Sequence, residues 1–320
     1  MAEELYTWVP FYTELANKLL PYKNDRAALI DKLQAMYESI DTKLPKLDDG
    51  GVPNDIDPFT IFGLFNKGIS SQNRRKIVAA LADVFCITAE LPNDFAGTPL
   101  LNNLNATFYA FIGDSRRGES DIDNLWDLFE AELALADADN PENRNAFAAA
   151  FDKTVGQFGL GWKLTMGLYW ARPLAFINLD SRNRWFMGDT AKAGVPIASI
   201  MPKEKDAPIH DGKHYLAICD TIRAELNSAD CPYNGFPSLS NAAFIESERV
   251  NRERERQQPR PLNKKQRRTH LATRGWKSSI IGSMHPAKAQ ACGRTSTPVA
   301  SWASVGTNSA TCASIRPKKT

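Results

Sequence analysis

Acidic residues stop at Glu255, and none follows in the last 65 positions of this 320-residue chain. Long apolar runs are also missing. The stretch from Val78 to Ala89 is interrupted by Asp83, and a membrane-spanning helix needs about 20 apolar residues. The N-terminal Met-Ala-Glu-Glu-Leu is acidic and lacks an apolar core, so no secretory signal is read there. A cytoplasmic protein without a membrane partner is expected. The five cysteines are scattered and form no CxxC pair, which speaks against a zinc site or a disulfide framework and fits reduced thiols.

Catalytic signatures are equally scarce. Gly156 and Gly161 have the spacing of a phosphate loop, but Trp162 stands where the lysine belongs. Lys163 comes one residue late and is followed by Leu164. The lysine and the following hydroxyl must be in register with the cradle of backbone N–H groups, so glycine at a helix junction is the better reading. His210 and His214 are four residues apart, yet Asp211-Gly212 replaces the glutamate of a zincin helix, and Gly212 disfavours a helix through the pair. No Gly-x-Ser-x-Gly elbow and no distinctive pair of carboxylates appears. No catalytic residue, metal or cofactor is assigned.

What the chain does have is a divided charge. Residues 251–320 carry 15 Lys and Arg against Glu253 and Glu255, whereas residues 1–250 carry 24 basic and 35 acidic side chains. The overall +2 is therefore the sum of −11 and +13. A split of this size argues against one uniform globule.

The first 245 residues read as helical. Leu29, Leu33, Met36 and Ile40 form one helical stripe, separated by Pro21 from an earlier helix carrying Leu15 and Leu19. Residues 41–58 read as a loop that ends in Asp57-Pro58, an N-cap followed by the proline that helix starts tolerate. Ile77, Val78, Leu81, Val84 and Phe85 mark a helix after Ser70 and Ser71. Ile122, Leu125, Trp126, Phe129 and Leu133 mark another, capped by Ser120 or Asp121. Further helices are expected near 142–154, 160–170, 213–227 and 239–257. No stretch alternates with period two. The expected fold is mostly α: a helical N-terminal domain over 1–245, a charged helix or linker over 246–258, and a disordered basic tail over 259–320.

Two segments combine polar and aromatic residues densely. One runs from Asp57-Pro58-Phe59 through Phe65-Asn66-Lys67 to Arg74-Arg75. The other runs from Thr165 through Arg172-Pro173 to Asn178-Leu179-Asp180-Ser181-Arg182-Asn183-Arg184. They read either as a basic-aromatic surface, with Arg on phosphates and rings on bases, or as helical core closed by an Asp180–Arg182/Arg184 cap or ion-pair cluster. Spacing alone favours the core.

These segments, with "FYTELANKLL", "LPNDFAGTPLLNN" and "DIDNLWDLF", resemble the N-terminal region of McrB-type AAA+ proteins, the NTPases of 5-methylcytosine-specific restriction systems. The resemblance covers residues 5–255. Its motif positions include Asp57, Pro58, Phe59, Phe65, Asn66, Asn102, Asn103, Asp180, Ser181, Arg182, Asn183 and Arg184. It implies a helical module, then a small base-reader-like module, then a GTP-hydrolysing motor that works with an McrC-type nuclease subunit. This chain stops before any Walker motif, so GTP and Mg are expected only for the missing motor, and the chain by itself is not expected to be an enzyme. By that analogy the module recognises or positions modified DNA. Arg74, Arg75, Arg116, Arg117, Arg172, Arg182 and Arg184 are its candidate phosphate contacts. The alternative is a helical scaffold that docks other subunits without touching DNA.

The same family offers a second account of the tail. Reading the third base of each codon with the first two of the next, Ser301–Cys312 permits MGIGWDELGDL, and the whole of Ser278–Thr320 permits a continuous string of that kind, similar to the start of an EVE/PUA-like reader module. The acidic residues reappear in that frame. A frame change between Arg256 and Arg274 is therefore expected, and the tail's +13 is no evidence for nucleic-acid binding. The nucleotide sequence decides it.

Overall fold

The computed structural model describes residues 5–49, 51, 53–103, 106–189, 209 and 211–257. Among these the protein is α-helical, with ten α-helices, one short 3-10 turn and no β-strand. The helices are α1 (Trp8–Leu19), α2 (Arg26–Ser39), α3 (Pro58–Phe65), α4 (Ser71–Phe85), α5 (Asp121–Asp137), α6 (Pro141–Val155), α7 (Trp162–Ala171), α8 (Ser181–Met187), α9 (Gly212–Leu226) and α10 (Phe236–Gln257). The chain divides into two compact units, Met1–Asn251 and Arg252–Thr320. In the second only Arg252–Gln257, the end of α10, is described. The tail expected over 259–320, the out-of-frame reading of Ser278–Thr320, and His210 lie outside the described residues.

Helix starts follow the expected cap chemistry. Asp57 caps α3, its carboxylate accepting from the Thr60 N–H at 2.9 Å, with Pro58 at the first helical position. Ser70 caps α4 and Asn140 caps α6 in the same way. Ser120 precedes α5 without a side-chain cap bond. Gly156 and Gly161 close α6 and open α7, the junction role expected for them. Asp211 caps α9 by accepting from the His214 N–H at 2.7 Å. Gly212 is thus the first helical residue, and the loop ends there.

All eight residues of α3 are buried, and so is every residue of α7 after Trp162. Helices this apolar on all sides belong inside the bundle. α3 packs against α7, α5 and α4, α1 lies on α7, and α5 with α6 forms an antiparallel pair extended by α9. Gly167 lets α3 and α7 approach closely: a Cβ there would stand 2.7 Å from the Phe59 ring and 3.1 Å from that of Phe108. Trp8, Trp126 and Trp170 are fully buried, and each indole N–H donates to a loop carbonyl, of Ala96, Ile56 and Pro99 respectively. The long connections at 41–57 and 86–120 are thereby fastened to the helical core. The predicted stripes are the buried faces: Leu29, Leu33 and Met36, then Ile77, Val78, Leu81 and Phe85, then Ile122 through Leu133, with Ile40 and Val84 half-buried at the margins.

Candidate functional site

The loop 97–102, the first residues of α7, the first turn of α8 and the middle of α10 enclose an open cleft of about 470 Å³. Its position follows from local sequence chemistry. Asp180 caps α8, accepting from the Arg182 and Asn183 N–H groups at 2.9 Å each, which turns the chain sharply after Asn178. Asn183 is buried and donates its amide to the Asn178 carbonyl at 2.7 Å and to the Ser240 hydroxyl at 3.1 Å. Opposite, Gly97 takes φ +72°, and a Cβ on it would lie 2.5 Å from the Pro237 carbonyl oxygen. Only glycine lets the 94–102 loop pass this close to α10.

Two arginine–aromatic pairs stand at this cleft. The Arg182 guanidinium lies 4.8 Å from the Phe244 ring centre, and Arg184 lies 4.0 Å from that of Trp162, both within cation–π range. Arg182 also pairs with Glu248 at 3.1 Å. Trp162, Arg182 and Arg184 are half-buried and Phe244 is exposed. The Thr98 hydroxyl, on the cleft wall, is buried without a hydrogen-bond partner among the described residues.

Beneath the cleft lies a buried acid and base. Lys163 donates to the Thr107 carbonyl, and its ammonium sits 4.7 Å from the Phe108 ring. Burial pulls its pKa down to about 8, while the charge of Asp57 acts in the opposite direction. Asp57 is fully buried and is pushed up to about 6 by loss of solvent. The Thr60 hydroxyl and N–H, and the charge of Lys163, hold it lower than burial alone would. The Thr60 hydroxyl in turn accepts from the Phe108 N–H at 2.9 Å. These groups tie the first motif to the floor of the site; none of them is exposed.

The predicted site residues therefore separate. Asn102, Asp180, Ser181, Arg182 and Asn183 line the cleft, and Arg184 stacks beside it. Pro58, Phe59, Phe65 and Asn66 are core, Asn66 accepting from the Tyr12 hydroxyl at 2.8 Å, while Asn103 fastens the neighbouring loop through the Gly68 carbonyl at 3.0 Å. Two of the expected phosphate contacts are buried. Arg74 is 8% exposed and lies over Phe95, with Lys67 O as acceptor. Arg172 is 5% exposed and donates to Asn17 and to the Thr13 and Ala171 carbonyls. Both are largely buried against the protein's own groups, and neither lines this cleft; Arg172 borders a separate open pocket with Arg144 and Arg223. Arg75 is exposed on α4, donating to the Asn93 carbonyl. Arg116 and Arg117 lie in the loop before α5, held by Asp114 and Asp48. The structure does not bring these three to the cleft.

Trp162 and Lys163, weighed in the sequence only as a failed phosphate loop, line the cleft, and so do Thr98, Ser240 and Phe244. Ser240, Phe244 and Glu248 recur every four residues, so their common helix face was readable; that its first two members line a cleft was not. Among the described residues no cluster of His, Cys, Asp and Glu could hold a metal ion, no helix is long and apolar enough to cross a membrane, and Cys219 and Cys231 carry free thiols.

A family model described as Domain of unknown function (DUF8425) matches residues 8–246. No curated protein and no solved structure matches the chain.

Proposed function

The chain belongs to the DUF8425 family, and from that premise we propose that its helical unit is the DNA-recognising or DNA-positioning module of a modification-dependent restriction NTPase of the McrB type. The observation that carries the reading is the cleft. The loop 97–102 and the turn at 180–183, both within segments that resemble the McrB N-terminal region, meet there, and the second segment carries two arginines that lie against the Phe244 and Trp162 rings. Arginine supplies phosphate contacts and rings supply stacking surface for bases. The module acts in the cytoplasm on 5-methylcytosine-containing DNA, with GTP hydrolysis and an McrC-type nuclease supplied by other modules and subunits. It has no catalytic role of its own.

A second reading has one observation in its favour. The acid excess of residues 1–250 repels a polyanion, which suits a scaffold that docks other subunits. One experiment separates the two: binding of the chain to methylated and unmodified duplexes across a salt series. Contact with phosphates makes affinity fall steeply with salt. Loss of that binding in Arg184→Ala assigns it to the cleft. No measurable binding at low salt leaves the scaffold.

A further inference from the structure

Resting on the reading of the cleft as the DNA-contact surface, we infer that Glu248 is a built-in competitor for the phosphate that Arg182 would take. Ser240 and Phe244, on successive turns of α10, line the cleft, and Glu248 stands one turn further on. Ser240 accepts from Asn183, Phe244 lies under Arg182, and Glu248 pairs with Arg182 at 3.1 Å. The spacing i, i+4, i+8 places the three on one helix face. The guanidinium is thus held flat on a ring with its Nη2 turned to a carboxylate, on the rim of an open cleft.

A phosphodiester oxygen has the same charge sign as a carboxylate and competes for the same guanidinium donors. A strand entering the cleft takes Arg182 from Glu248 and leaves the carboxylate without its cation, next to the strand's own negative charge. The cleft is therefore weakened toward anions while Glu248 is in place, and its occupation breaks one of the contacts that tie α10 to α8. Both partners are about 40% exposed in their side chains. An ion pair of that exposure is weak, so the competitor adjusts affinity and does not block the site.

The test compares the full chain with Glu248→Gln, Arg182→Gln and the double variant, measuring fluorescence anisotropy of a short labelled DNA duplex at low salt. Glu248→Gln keeps the side-chain shape and removes the charge. It is expected to tighten binding by up to about fivefold, and that gain is expected to vanish in the Arg182→Gln background. Duplex binding by the parent chain with no change in Glu248→Gln, or with the same gain when Arg182 is absent, overturns the competitor and leaves the DNA reading intact. Absence of binding in both the parent and Glu248→Gln overturns the DNA reading and the competitor with it. Binding by Glu248→Gln alone supports both. Circular dichroism confirms that each variant is folded, since neither side chain belongs to the core.

Discussion

Glu132 offers a stringent check on the electrostatics of the interior. It lies on α5, is 0% exposed, and neither carboxylate oxygen has a hydrogen-bond partner among the described residues. Burial pushes its pKa well above 4.5, with the charge of Arg172 the opposing influence. Two magnitudes compete for the outcome of Glu132→Met. If Glu132 and Arg172 formed a tight buried ion pair, removing one partner would destabilise the protein by about 3–5 kcal/mol, because it strands the other charge. Arg172, however, keeps its acceptors on Asn17, Thr13 and Ala171, and exposed Asp137 stands 3.7 Å away. It is not stranded. What the substitution removes is then an unsatisfied buried polar group, a gain of roughly 1–3 kcal/mol. Methionine is unbranched, of similar length and equally tolerant of a helix.

The pH dependence sharpens the expectation. A carboxyl whose pKa is raised on folding holds its proton more tightly in the folded state. Its contribution is fully present below the unfolded value of about 4.5 and is lost as pH rises through the folded value. Glu132→Met lacks that loss, so its advantage over the parent grows with pH. Thermal unfolding followed by circular dichroism at about pH 4.5, about pH 7 and about pH 8.5 reads this out. A rise in Tm of roughly 2–10 °C at neutral pH, larger than at about pH 4.5, is the expected result. A variant less stable than the parent at neutral and alkaline pH would refute the reasoning and establish the Glu132–Arg172 pair as a net stabiliser.

Two further outcomes follow from the core and the site floor. Gly167→Ala forces a methyl group to within 2.7 Å of the Phe59 ring and is expected to cost about 1–3 kcal/mol in chemical denaturation, whereas Gly156→Ala, with no atom within 4 Å and helical φ, is expected to be neutral or slightly stabilising. A loss in both or in neither would show that close approach of α3 and α7 is not the cause. Asp57 rises from 3.8 to about 6 on folding, so the parent chain loses up to about 3 kcal/mol of this group's contribution as pH rises from about 4 through about 6. Asp57→Asn retains the cap on Thr60 and is expected to flatten that part of the stability profile; parallel profiles for the two proteins would refute it.

Burial periodicity made the helices legible, and cap chemistry made their starts legible. Leu29, Leu33 and Met36, or Ile122 through Leu133, face inward because an amphipathic stripe has one face to bury, and that choice is local. Asp57-Pro58 and Ser70 act through backbone N–H groups two or three residues away, which is again local. The site is different in kind. Nothing near Arg172 in the chain distinguishes it from Arg182: both are arginines in a polar-aromatic segment, ten residues apart. Their fates diverge through residues far away, Asn17 and Thr13 on α1 for one and Phe244 and Glu248 on α10 for the other. The identity of an arginine as an internal strut or a surface contact is thus decided by which distant helix packs beside it, and a reading of residue types in order has no access to that. Trp162 makes the same point from the opposite side. Its neighbours in the chain fit a defective phosphate loop, while its neighbours in space, Arg184 and the turn after Asp180, make it a wall of the cleft. Sequence chemistry therefore singles out segments, and packing decides which of their side chains face the cleft and which are core.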